Sequence, residues 1–182
     1  MKWMFVGLGN PGDEYVGTRH NVGRDFLLAL DPSGGGQAKN VKVLLPDVFM
    51  NDSGKAVQKF VGEKVSAKAL EQLVVVHDDL DWPLGKVKLS FGSGPGGHRG
   101  VLSIQKALKT KDFVRVRVGI SPATPSGKLK KPAAEGVVDF VLGKFKPGEQ
   151  EKLKKARTLV KGALELLVTL GREKATMEIH SR

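Results

Sequence analysis

The chain has 182 residues, 40% of them hydrophobic and 27% charged, which suits one soluble globular domain able to bury a substantial core. No apolar run nears the ~20 residues of a membrane span, and the absence of cysteine excludes disulfides, thiolate metal sites and cysteine nucleophiles together. Lys and Arg number 30 against 19 Asp and Glu, a net charge of +11 that points to a polyanionic partner, nucleic acid first, or to a basic surface kept for solubility.

Met1-Lys2 runs straight into Trp3-Met4-Phe5-Val6, with no charged leader and no small-residue cleavage site. A cytoplasmic location is the expectation, or an organellar one if a leader precedes this sequence. Residues 2–6 read as a short buried strand ending in the glycine-rich turn 7–12. Asp25–Leu30 reads as a helix, broken at Asp31-Pro32-Ser33-Gly34-Gly35-Gly36. Val41–Leu45 is a second strand, and Asn51-Asp52-Ser53 offers N-caps to a helix carrying Ala56, Val57, Phe60 and Val61. The apolar run Leu73–Val76 predicts a central strand that delivers His77-Asp78-Asp79 at its C-terminal end. Lys86–Phe91 is a strand, 92–97 a glycine loop and Val101–Leu108 a helix. Phe113–Ile120 alternates, with Val114, Val116 and Val118 on one face and Arg115 and Arg117 on the other. A Pro/Lys-rich loop fills 121–134, and an amphipathic helix starting near Pro147 ends at Gly171. Strands alternating with helices predict a single-domain α/β layer sandwich, 1–182, with a mixed, largely parallel twisted sheet flanked by helices.

Gly7-Leu8-Gly9-Asn10-Pro11-Gly12 scans as a dinucleotide-binding fingerprint, which needs an apolar helix next and a carboxylate about 20 residues on, after a strand. Here the turn leads into polar Asp13-Glu14-Tyr15-Val16-Gly17, and Asp31 follows a helical pattern. The context contradicts a nucleotide site. Phosphate-binding-loop spacing, the Gly-x-Ser-x-Gly elbow and the zinc-hydrolase helix motif are also missing.

What remains is a set of polar residues at strand ends and turns: Asn10, His20-Asn21, Met50-Asn51, His77-Asp78 and His98-Arg99. In α/β sheets such positions converge on one crevice. Each has a plainer alternative. Asn10 and Asn51 suit turns and N-caps, His20 and Asp78 can cap turns, and Met50 can be core. A metal-dependent phosphoryl-transfer site built from His77, Asp78, Asp79 and Asp81 is a further alternative, weakened because Asp78 and Asp79 point to opposite faces of a strand.

Gly7–Gly12 with Tyr15 and Thr18-Arg19-His20-Asn21 resembles the opening signature of bacterial-type peptidyl-tRNA hydrolases. Phe49-Met50-Asn51-Asp52-Ser53-Gly54, His77-Asp78-Asp79-Leu80-Asp81, Gly96-Gly97-His98-Arg99-Gly100, Arg115–Ile120 and Phe140–Lys144 continue the resemblance in order. It implies hydrolysis of the ester joining peptide to tRNA, without metal or organic cofactor, by a monomer meeting the acceptor end and 5′ phosphate region of peptidyl-tRNA. His20 would be the base, Asp78 its orienting carboxylate, and Asn10 and Asn51 the amides that hold substrate and water. Tyr15, Met50 and His98 would contact substrate. Arg117 and Lys88 would grip phosphate, the alternative being a solvated basic strand face shared with Arg115. The basic helix face at Lys152, Lys154, Lys155 and Arg157 reads as solvated rather than as a docking site.

The residue types suit the chemistry. An imidazole titrates near neutrality and can deprotonate water, and a buried carboxylate fixes its tautomer. Neutral amides can hydrogen-bond an ester carbonyl without adding charge. Two departures stand out. Arg99 occupies the position where the family usually has Asn, which keeps an RNA-binding derivative without hydrolysis in view. The 32–40 segment is shorter than usual, while the 121–134 loop is longer and more basic.

Overall fold

Five strands, β1 (Trp3–Gly7), β2 (Val41–Leu44), β3 (Leu73–Pro83), β4 (Val87–Phe91) and β5 (Val114–Ser121), form one sheet in the order β2-β1-β3-β5-β4. β1 pairs in parallel with β2 and β3, and β3 in parallel with β5; only the edge strand β4 is antiparallel. The computed structural model describes residues 2–30, 40–62 and 65–181. The glycine break at 34–36 and nearly all of the shortened 32–40 segment lie outside the described residues.

Side-chain alternation splits the core between the two sheet faces. On one face Trp3, Phe5, Val74, Val76 and the valines of β5 pack with helices α1 (Val22–Leu30), α6 (Gln150–Leu170) and α7 (Arg172–His180). On the other, Met4, Val6, Leu73 and Val75 pack with α2 (Ser53–Val61) and α4 (Arg99–Leu108), which touch each other closely. Leu73, Val74, Val75 and Val76 are each 0% exposed, worth about 1.5–3 kcal/mol per side chain. Both cores therefore fix the same strand.

The structure corrects several expectations. β3 does not end at His77-Asp78-Asp79 but runs on to Pro83: past a bulge Pro83 pairs with Ser121, while His77, Asp78 and Asp79 ladder with Arg117, Val118 and Gly119 of β5. Their polar side chains find partners inside the fold, so polarity does not end the strand. α1 starts at Val22 rather than Asp25, stacked on a 3-10 turn (Arg19–Asn21). Helices α3 (Ala67–Leu70), α5 (Val137–Leu142) and α7 have no counterpart among the predicted elements; the first two are under two turns long, and α7 is polar on most sides. Arg115 is not on a solvated face: it is 3% exposed, with Nη2 donating to Ser93 Oγ at 2.6 Å. The long helix does begin after a 3-10 turn at Pro147 and end at Gly171, whose φ of 77° suits glycine.

Candidate active site

A cleft of about 450 Å³ opens where β1, β3 and the turn after β2 deliver their polar residues. Asn10, His20, Met50, Asn51, Asp78 and His98 all line it, together with Phe49, Arg99 and the α5 side chains Val138 and Leu142. Six of the residues singled out from sequence thus share one space.

Asp78 sits at the back of this cleft, 3% exposed, and accepts hydrogen bonds from two imidazoles. His20 Nδ1 lies 2.9 and 3.0 Å from its two oxygens, and His98 Nε2 lies 2.9 Å from Oδ1. The tautomers follow from the partners. Val101 N–H donates to His98 Nδ1 at 3.2 Å, so the His98 proton must be on Nε2 and is donated to Asp78. His20 donates Nδ1–H to the same carboxylate, which leaves its Nε2 lone pair for the cleft. Burial alone would lower the His20 pKa from 6.5; the Asp78 charge and hydrogen bond outweigh it and raise the value, against a smaller opposing push from Arg99. Burial favours the neutral form of Asp78 too, yet His20 and His98 hold its carboxyl well below the usual carboxylate range. His77, behind the site, has its pKa lowered well below 6.5, chiefly by burial with the Arg115 guanidinium nearby, and its Nδ1–H donates to the Asp78 carbonyl at 2.6 Å.

Asn10 is built to present an amide donor. Asn21 grips its backbone from both sides, Oδ1 accepting from Asn10 N–H at 2.8 Å and Nδ2 donating to Asn10 O at 2.9 Å. The Asn10 side-chain Oδ1 accepts from Met50 N–H at 2.9 Å, so its NH₂ is the end left for a ligand. Asn51 stands exposed at the mouth, its carbonyl held by Ser103 Oγ–H at 2.7 Å. Sequence reasoning places Asn21 among the crevice residues without a role; its two hydrogen bonds to the Asn10 backbone supply one.

Arg19 sets the position of its neighbour His20. Its guanidinium, 4% exposed on the residue, donates to Lys144 O at 2.5 Å and Glu149 Oε2 at 2.6 Å and lies between the Phe140 and Phe145 rings. The turn bearing His20 is thereby tied to the segment that carries the α5 wall.

Three expected contact residues lie outside the cleft lining. Tyr15 packs edge-on against Phe49, ring centroids 6.2 Å apart, and props that exposed ring. Lys88 and Arg117 face each other across β4 and β5, both over the Trp82 ring, at 4.9 and 5.9 Å. Arg117 Nε also donates to Asp79 Oδ2 at 2.5 Å, joining this basic patch to the cleft wall. The four-residue metal alternative is not assembled: Asp79 binds Arg117, and Asp81 binds Lys131. Instead His20, Asp78 and His98 offer ligand atoms within 4.8 Å of one another, a group among the described residues that could hold a metal once both bridging protons were displaced.

Residues 4–182 match the family model described as peptidyl-tRNA hydrolase. The chain belongs to the peptidyl-tRNA hydrolase family. The peptidyl-tRNA hydrolase of Thermodesulfovibrio yellowstonii is 34% identical over 98% of each chain, and that of Mycobacterium avium is 38% identical over 98% of this chain and 97% of its own. The crystal structure of peptidyl-tRNA hydrolase from Acinetobacter baumannii superposes with a TM-score of 0.81 at 32% identity, covering 98% of this chain and 94% of that one. Members of this family are hydrolases acting on ester bonds, with a role in translation, and membership supports hydrolysis of peptidyl-tRNA. Among the described residues no helix is long and apolar enough to cross a membrane.

Proposed function

We propose that the chain hydrolyses the ester between a peptide and the 3′ end of tRNA by direct water attack, with His20 as general base. The carrying observation is the His20–Asp78 pair: an imidazole whose Nδ1–H is held by a buried carboxylate and whose Nε2 opens to the cleft. Nε2 takes a proton from water as its oxygen bonds to the ester carbonyl carbon. The developing oxyanion is met by the Asn10 amide, and Asn51 holds substrate or water at the mouth. As the acyl–oxygen bond breaks, the imidazolium returns its proton to the ribose oxygen, leaving a free tRNA hydroxyl and a peptide carboxylic acid that loses its remaining proton to solvent.

Asp78 keeps the tautomer and stabilises the imidazolium without itself taking the proton. His98 works through Asp78, since both of its ring nitrogens are already engaged. Met50 packs the cleft floor against Gly100, where even a Cβ would meet Sδ at 2.4 Å, and Tyr15 supports Phe49 as a platform for the terminal nucleotide. Lys88 and Arg117, stacked over Trp82, suit the phosphates of the acceptor end.

The test is release of an N-acetyl-aminoacyl group from tRNA by wild type and His20→Ala, with EDTA throughout. Turnover that resists EDTA and falls by orders of magnitude in the variant, at unchanged far-UV circular dichroism, supports the reading. Loss of turnover in EDTA instead assigns the His20–Asp78–His98 group to a metal. Folded protein that binds tRNA and releases nothing makes it an RNA-binding derivative, with Arg99 the first residue to revert.

A further inference from the structure

We propose that the groove between α2 and α4 receives the peptide arm of the substrate and favours acidic side chains in it, an inference that rests on the ester-hydrolase reading above. The groove holds about 650 Å³ and joins the cleft directly: Asn51 and Arg99 line both. Any substrate whose ester sits at His20 has two arms to place, one polyanionic and one polypeptide. The cleft offers two continuations with different chemistry.

Toward Asp79 and Leu80 the wall leads to Arg117, Lys88 and the Trp82 ring, two cations on an aromatic face. That combination suits nucleic acid, where charge grips phosphates and rings stack on bases. Past Asn51 and Arg99 the groove has no aromatic lining residue. Its wall alternates an amide, Gln58, with the aliphatic Leu102 and Ala107 and the cations Lys55, Lys106 and Arg99. Such a wall suits a polypeptide, with hydrogen-bonding and aliphatic contacts and no stacking platform.

The groove's charge is one-sided. Asp52 pairs with Lys55 at 3.2 Å, whereas Arg99 and Lys106 have no carboxylate within ion-pair distance among the described residues. Both are exposed and on one helix, Arg99 at the cleft end of α4 and Lys106 near its other end, so they meet successive parts of anything laid along it. Peptide carboxylates would supply the missing counter-charges. The floor is rigid: Gly54 abuts the Ser103 carbonyl so closely that an added Cβ would lie 2.1 Å from it, and Gly54 N–H donates to Ser103 Oγ at 2.9 Å. A fixed floor between two exposed cations is a subsite that reads charge rather than shape.

The experiment measures kcat/KM for three tRNAs carrying N-acetyl-Glu-Glu-Ala, N-acetyl-Gln-Gln-Ala and N-acetyl-Lys-Lys-Ala, with wild type, Lys106→Gln and Lys106→Glu. Wild type is expected to prefer Glu over Gln roughly three- to tenfold, the size of two exposed ion pairs, with Lys slowest and the order flattening in high salt. Lys106→Gln reduces the Glu-to-Gln ratio, and Lys106→Glu shifts the preference toward Lys. Three equal rates in wild type overturn the groove assignment while leaving the hydrolase reading intact. A KM raised equally for all three peptides in Lys106→Gln, with Lys88→Gln silent, also overturns it and gives the groove to RNA. No release from any substrate overturns both readings.

Discussion

His98 holds Asp78 through a single 2.9 Å hydrogen bond whose direction is fixed from the far side of its own ring, by the Val101 backbone N–H. The helix start of α4 thus sets the protonation of a side chain that sets the carboxylate that sets His20. Removing this donor leaves the Asp78 charge less satisfied and its pull on His20 stronger. We expect His98→Ala to lower kcat by about 10- to 100-fold, the range of a hydrogen bond to a charged group. The acid limb of the kcat profile should move to higher pH. His98→Gln, which keeps a donor, should restore part of both; a helix-cap defect alone would lower activity without moving the limb.

Asp78→Asn tests the opposite sign. The raised pKa of His20 rests on that carboxylate working against burial and Arg99. Without the charge, burial dominates, the pKa drops below 6.5 and the acid limb moves to lower pH. The plateau should fall by roughly 10⁴, since a neutral amide neither fixes the tautomer nor stabilises the imidazolium. The same pair bears on stability. The His20 contribution is fully present below pH 6.5 and is lost as pH rises through its raised folded value; that of Asp78 is present above 3.8 and lost as pH falls through its lowered one. Thermal melts across pH, compared between wild type and Asp78→Asn, read both.

The sheet was legible in the sequence because the runs Leu73–Val76 and Val114–Val118 carry buried β-branched residues in a strand period. Most of the site was legible because Asn10, Met50, Asn51 and Asp78 sit on turns or strands that an α/β sheet brings to one crevice. The extension of β3 was not, since His77-Asp78-Asp79 looks like a strand end until His98, His20 and Arg117 are known to satisfy it. Arg115 has the pattern of a solvated position and is buried against Ser93, a partner that alternation cannot reveal. Asn21 and Arg19 act through contacts up to 130 residues away, beyond the reach of any local spacing.

Arg19 and Glu149 make such a contact, and it is expected to matter for rate as well as stability. Arg19→Lys keeps the charge but cannot serve Lys144 O and Glu149 Oε2 together from a planar fork. Losing one partner of a largely buried pair costs about 3–5 kcal/mol at the upper end. We expect a lowered midpoint in urea for Arg19→Lys, with KM raised more than kcat is lowered, because the α5 wall loses its anchor before His20 loses Asp78. Glu149→Gln should be milder, since an amide oxygen still accepts from the guanidinium. Equal effects of the two on KM would mean that the wall is held by other contacts.

Behind the site α1 meets the sheet at Gly23 with no room for a side chain. A Cβ there would lie 2.1 Å from the Val76 carbonyl oxygen and 3.0 Å from Leu8 N. Neither neighbour can give way, as the Leu8 N–H donates to that same Val76 oxygen at 3.0 Å within the β1–β3 seam. In Gly23→Ala the helix must therefore move, and the 3-10 turn on which it stacks carries His20 with it. Overpacking of this kind costs about 1–3 kcal/mol, and backbone neighbours on both sides put the expected value at the top of that range. A displaced turn lengthens the His20–Asp78 contact, so kcat should fall while binding of tRNA is kept. A melt shifted downward with kcat intact would show that α1 slides without turning, and that the imidazole is held by Arg19 and Asp78 rather than by the helix behind it.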